Sequence, residues 1–152
     1  MKKSFFGIIL LVVIIQFFRI DKTNPVSDPG VDMFVVENVP DDVQTLLKTS
    51  CFDCHSNSTR YPWYTNIAPV SWWVKHHIDE ARDELNFEEW GTYSEKKKAH
   101  KLEEIEEMIE EKEMPLPSYL WIHDEAKLSK QEQKKLIIWA KNLRTGDQIE
   151  EL

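Results

Sequence analysis

Five consecutive residues, Cys51-Phe52-Asp53-Cys54-His55, hold both cysteines of the chain and place a histidine directly behind the second. Cys-x-x-Cys-His is the spacing of covalent haem attachment. Two thiols must reach the two vinyl groups on adjacent edges of a porphyrin and close thioethers there, and two intervening residues set that reach. The next residue then offers its imidazole to the iron from the proximal side. The motif predicts one covalent haem c, with Cys51 and Cys54 as thioether residues and His55 as the fifth ligand.

Other chemistries also use paired cysteines. A structural zinc ion takes four ligands, usually from two clusters, and this chain has no third cysteine. A thioredoxin-like dithiol expects a strand before the motif. Here Val43, Leu46 and Leu47 recur at helical spacing instead. A simple local disulfide stays open as a third alternative.

An iron that only relays electrons usually has its sixth position filled, often by methionine. Met114 is the preferred residue, because Pro115 and Pro117 follow it and break the preceding helix. Met108 sits on an apolar helical stripe and reads as core packing. His77 is the alternative sixth ligand, sharing an inward helical face with Trp73, Val74 and Ala81, and His123 is a weaker one. His76 and His100 read as solvated. Arg60, Trp63, Tyr64 and Trp73, close behind the motif or on the next helix, have donors that suit haem propionates and rings that suit the macrocycle. With both axial positions filled, no substrate reaches the iron. The expectation is single-electron transfer to an unidentified redox partner protein, with no catalytic residue and no small-molecule substrate. A labile Met114 would instead open the iron to peroxide or a gas, as in a haem enzyme or sensor. A third reading is a haem subunit of a larger redox complex.

The elements that must position these groups read as helices. Asp41 and Asp42 suit a helix N-terminus that runs to about Thr49 and delivers the chain to Cys51. Residues 56–69 read as a long loop. Pro69 opens a second helix with Val70, Trp73, Val74, His77, Ile78, Ala81 and Leu85 on one face. Thr92-Tyr93-Ser94-Glu95 has the pattern of a capping box for a third helix, to about Glu113, with Leu102, Ile105, Met108 and Ile109 inward. Ser129 and Glu132 announce a last helix, with Leu136, Ile137, Ala140 and Leu143 inward. No stretch alternates like a strand, so the fold class is all-α.

At the N-terminus, Lys2 and Lys3 precede an apolar run from Phe5 to Ile15. With residues 16–20 included, this predicts a signal-anchor or transmembrane helix over residues 1–20, just long enough to span a bilayer. The lysines would stay in the cytoplasm, placing the haem domain on the periplasmic side of the cytoplasmic membrane. A cleaved signal peptide and a periplasmic protein form the alternative. Residues 21–39, with Pro25, Pro29 and Gly30, read as a linker, and 40–152 as the c-type haem-binding domain.

The formal net charge is −8, with 27 acidic residues against 19 basic. Such a surface repels phosphate, so no nucleic acid is expected as a partner. The acidic run around Glu103–Glu111 reads first as a solvated helix face and second as a dock for a basic redox partner.

Beyond the motif, the chain resembles the bacterial haem-binding domain family. The resemblance rests on Cys51 to Asn57, Tyr61-Pro62-Trp63-Tyr64, Ile67 to Trp73, Leu85-Asn86-Phe87 with Trp90, Met114-Pro115, Tyr119, His123, Ala126 to Ser129 and Trp139. It covers roughly residues 40–143. It implies a small cytochrome-c-like helical domain that binds haem, and it leaves the physiological role open.

Overall fold

The computed structural model describes residues 2–146, with side chains from Ser4 onward. Seven α-helices follow one another: α1 (Lys2–Ile15), α2 (Met33–Val36), α3 (Asp41–Ser50), α4 (Phe52–His55), α5 (Val70–Glu84), α6 (Glu95–Glu110) and α7 (Lys130–Thr145). Short 3-10 turns join them, and no strand occurs among the described residues. The all-α expectation agrees with this architecture.

The stripes predicted for α3, α6 and α7 explain the packing, whereas on α5 only part of the expected inward face is covered: Ile78 is buried but Val70 and Trp73 are exposed. Leu102 and Ile109 of α6 meet Leu136, Trp139 and Ala140 of α7, and α3 closes the layer with Val43 and Leu47. The Ser129–Glu132 capping box forms with both of its hydrogen bonds. The box expected at Thr92 shifts by two residues. Thr92 ends a 3-10 turn, and Ser94 is the N-cap of α6, accepting from the Lys97 N–H. Below α6, Lys112 takes a left-handed φ of 61°. The chain folds back there, and the N–H groups of Glu113 and Met114 both donate to the Met108 carbonyl.

The transmembrane reading of residues 1–20 is overturned. α1 has 14 residues, about 21 Å at 1.5 Å per residue, whereas a bilayer's hydrocarbon core is about 30 Å thick. No helix among the described residues is long and apolar enough to cross a membrane. The side chain of Gln16 explains where the helix stops. Its Nε2 donates to the Ala68 carbonyl at 2.9 Å, and its Oε1 accepts from the Ala68 N–H at 3.0 Å. Trp72 Nε1 donates to the Phe18 carbonyl at 2.8 Å, and Arg19 donates to the carbonyl of Asn66. Residues 16–19 therefore belong to the helical body. The single-pass anchoring, and the location inferred from it, fall with the helix length.

The stretch 21–39 also departs from a free spacer. Asn24 donates to the Thr59 carbonyl and accepts from Arg82. Met33 is completely buried and Val39 nearly so, both in the main core. Gly91 shows how close this stretch runs: a Cβ on Gly91 would lie 2.8 Å from the Val31 Cα. Backbone cannot swing aside as a side-chain tip does. Gly91→Ala should therefore force residues 29–31 off the body and cost about 1–3 kcal/mol, as overpacking does. A urea midpoint equal to wild type would refute this.

Candidate functional site

The two residues inside the Cys-x-x-Cys-His motif fix its place in the fold. Phe52 lies between Phe34 and Phe87 in a three-ring stack, with centroids 5.0 and 5.6 Å apart and planes within 13° and 8°. Asp53 accepts from Arg60, at 3.0 and 3.2 Å, and from the Tyr119 hydroxyl at 2.8 Å. Phe52 anchors the motif to α2 and the 87–92 turn, and Asp53 anchors it to the segment after Pro115. Between these anchors Cys51, Cys54 and His55 are turned to one cavity.

That cavity has a volume of about 570 Å³. Cys51, Cys54 and His55 line it from one side, His77 and Ala81 from α5, and Ile105 and Met108 from α6. Met114, Pro115, Leu116 and Tyr119 line it from the chain after α6. The expected attachment residues, the preferred sixth ligand and its His77 alternative thus meet around one space. The remaining candidates lie outside its lining. Arg60 is engaged with Asp53, and Trp63 is 70% exposed. Tyr64 pairs through its hydroxyl with His123 Nε2 at 2.9 Å, and Trp73 packs its ring 4.3 Å from that of His77. With His123 Nδ1 also held by Glu125, both nitrogens of that imidazole are engaged.

His55 Nδ1 lies 3.0 Å from the Leu85 carbonyl. A carbonyl only accepts, so Nδ1 carries the proton and the Nε2 lone pair is left for another partner. Burial lowers the His55 pKa, against the opposing pull of the Leu85 hydrogen bond, and favours a neutral imidazole. Both cysteines are free. Burial pushes the Cys51 thiol up to about 12, helped by the neighbouring Cys54, and the Cys54 thiol up to about 11, helped by Asp53. At neutral pH burial favours the thiol form of both. Among the described residues no group of three His, Cys, Asp or Glu could hold a metal ion.

These residues fit a haem. The volume falls within the roughly 300–1,000 Å³ of cofactor sites. Leu47, Leu85, Phe87, Ile105, Ile109 and Leu116 give the walls apolar surface. The two thiols, the imidazoles of His55 and His77 and the thioethers of Met108 and Met114 stand among them, with five carboxylates and Lys101 also in the lining. A family model described as a haem-binding domain matches residues 10–142. The chain belongs to the haem-binding domain family. No curated protein and no solved structure matches it.

The match opens inside α1, so this haem-binding domain takes in the Gln16 clamp and the buried Met33 as well as the motif. The resemblance seen in the sequence begins near residue 40, because the earlier residues have no compositional mark of burial. In the sequence Asp53 and Tyr119 have no role beyond their place in the motif and in the resemblance, and Lys101 has none, yet all three line the cavity. Lys101 had a signal: it lies four residues before Ile105 and seven before Met108, on the same helical stripe.

Proposed function

We propose that this haem-binding domain is a monohaem c-type cytochrome. One haem is joined to Cys51 and Cys54, ligated by His55 and Met114, and used to pass single electrons to a redox partner protein. The observation that supports this is the convergence of the two thiols, the His55 imidazole with its Nε2 lone pair unused, and the Met114 thioether on a single cavity. When bound, the haem supplies an iron that moves between two oxidation states one electron apart. The chain does the rest. Cys51 and Cys54 would hold the macrocycle edge, and the Leu85 carbonyl, by engaging His55 Nδ1, leaves Nε2 available to the iron. The backbone bond from Met114 to Met108 sets the start of the wall that carries Met114, and the apolar part of the lining would exclude water.

Extraction into acidified organic solvent tests the attachment. Haem should stay with the wild-type polypeptide, and a haem that leaves freely would refute the c-type reading. The sixth ligand has its own optical test. A thioether bound to ferric iron gives a weak charge-transfer band at the red end of the visible spectrum. Met114→Ala should abolish that band and let carbon monoxide bind the ferrous iron. Met108→Ala should leave the band in place and loosen packing by about 2–5 kcal/mol if the side chain is fully enclosed around haem.

One observation favours a second ligand set. His77 Nδ1 lies 2.8 Å from the Trp73 carbonyl, which leaves its Nε2 free in the way that His55 Nε2 is. If the band is missing from wild type and His77→Ala changes the iron spectrum, ligation is bis-histidine. If neither variant matters and wild-type ferrous iron takes up carbon monoxide quickly, the sixth position is open. The enzyme or sensor reading then replaces electron transfer.

A further inference from the structure

Lys101 stands in the cavity wall with its side chain only 9% exposed. Its ammonium is held by Glu84 at 2.9 Å and Glu104 at 2.6 Å. Taking an ammonium out of water costs several kcal/mol even after relaxation, and the inward stripe of α6 is otherwise apolar at Leu102, Ile105 and Ile109. A leucine at this position would fill the same wall without that cost.

The charges around the cavity suggest what the lysine is for. Its lining includes five carboxylates, Asp53, Glu80, Asp83, Glu84 and Glu104, and Lys101 is its one lysine or arginine. A haem carries two propionates, which are its ionised groups at neutral pH. Arg60 is engaged with Asp53 outside the lining, and Arg82 is bound to Ser56, Thr59 and Asn24. A propionate in this cavity meets repulsion at five positions and attraction at one. The Glu84 side chain is 75% exposed and that of Glu104 37%, so both carboxylates can turn toward water and release the ammonium.

We propose that Lys101 is a haem-propionate residue, exchanging Glu84 or Glu104 for a propionate carboxylate when haem is bound. The assignment rests on the haem reading given above. Lys101 would hold a propionate of a haem whose orientation the two thioethers already set. A cation kept close to the bound group would favour its reduced, less positive state and so raise the potential.

The test uses the full-length holoprotein made with 5-aminolevulinate carrying carbon-13 at C1, which labels the propionate carboxyl carbons. Infrared difference spectra between the oxidised and reduced forms then isolate the labelled carboxylates. Lys101→Met should shift at least one labelled band, and Lys101→Arg should restore it. Lys101→Met should also lower the midpoint potential, by about 59 mV for a tenfold change in the one-electron equilibrium. Glu84→Gln, which leaves the ammonium in place, should keep the band at its wild-type frequency. Wild type offers a second measurement that does not depend on a variant folding. One labelled carboxyl should stay ionised to lower pH than the other, because an adjacent cation holds its pKa down. Labelled bands that are identical in wild type and Lys101→Met, or two carboxyls that titrate together, would overturn the assignment while leaving the haem reading intact. A wild-type chain that retains no haem would overturn both.

Discussion

Replacing Cys51 and Cys54 together with alanine should turn a haem that withstands acid extraction into one that is extracted almost completely. The reason is a change in bond type. Two thioethers cannot be broken by acid or by unfolding, whereas His55 and an apolar cavity hold haem only while the fold and the imidazole lone pair persist. Acid removes both, since a free imidazole protonates below about pH 6.5. The single variants should fall between, each keeping one thioether and one unreacted vinyl group. That vinyl moves the reduced haem absorption to longer wavelength, so Cys51→Ala and Cys54→Ala can be told from the double variant by spectrum as well as by extraction. Neither cysteine lies among the fully buried core side chains, so far-ultraviolet circular dichroism should still report a helical chain. Extractable haem with unchanged helix content would isolate the bond as the cause. Haem that remains attached in the double variant would end the c-type proposal.

Truncating Trp90 should be the most damaging single change to the fold. Its side chain is 0% exposed. Its indole Nε1 donates to Glu37 Oε1 at 2.7 Å, and its ring packs 5.8 Å from that of Tyr93. Trp90→Ala should cost about 3–5 kcal/mol through the cavity it opens, a large share of the roughly 5–15 kcal/mol that holds a typical domain together. Trp90→Phe keeps most of the apolar contact but removes the N–H, and because Lys98 still pairs with the same Glu37 oxygen at 3.4 Å, the lost hydrogen bond should cost only about 0.5–1.5 kcal/mol. Urea titration of both variants separates the two contributions. A Phe variant as damaged as the Ala variant would mean that the hydrogen bond, rather than the volume, joins residues 33–39 to the 87–92 turn.

The helical frame and the centre of the site were legible in the sequence because each rested on a local rule. Ser129 and Glu132 cap a helix through bonds made within four residues, and the structure repeats them. Cys51, Cys54 and His55 reach one cavity because a single turn of helix, α4, carries two of them. Met114 reaches it because the helix stops ahead of it and the chain folds back at Lys112, a local event that the prolines after Met114 pointed to. What stayed hidden depends on contacts across the chain. Arg60, Trp63, Tyr64 and Trp73 lie close to the motif in number, yet the aspartate at position 53 holds Arg60 and His123 holds Tyr64. The N-terminal run reads as a membrane span by composition alone. Its end is set by the backbone of Ala68, 52 residues away. A glutamine after an apolar stretch carries no sign of such a partner. Lys101 shows the converse: the helical stripe marked it as inward, but a lysine reads as solvated until two carboxylates are seen to enclose it.

The Asp53 anchor has a consequence for how oxidation and reduction could proceed here. Asp53 lies between the cysteines, and its carboxylate holds Arg60 on one side and the Tyr119 hydroxyl on the other. Tyr119 in turn stacks on His123 at 4.1 Å, and Met114 is five residues away along the same segment. The wall that carries Met114 and Tyr119 is therefore tied to the attachment motif by the protein itself, without help from a bond to iron. An iron–sulfur bond made there would not have to order a loose loop, and its loss or lengthening would not release one. If the proposed haem is held here by His55 and Met114, the separation between these two donors would be a property of a preorganised frame. A one-electron change on its iron would then require little of the surrounding chain to move, and a small reorganisation energy would favour rapid electron transfer.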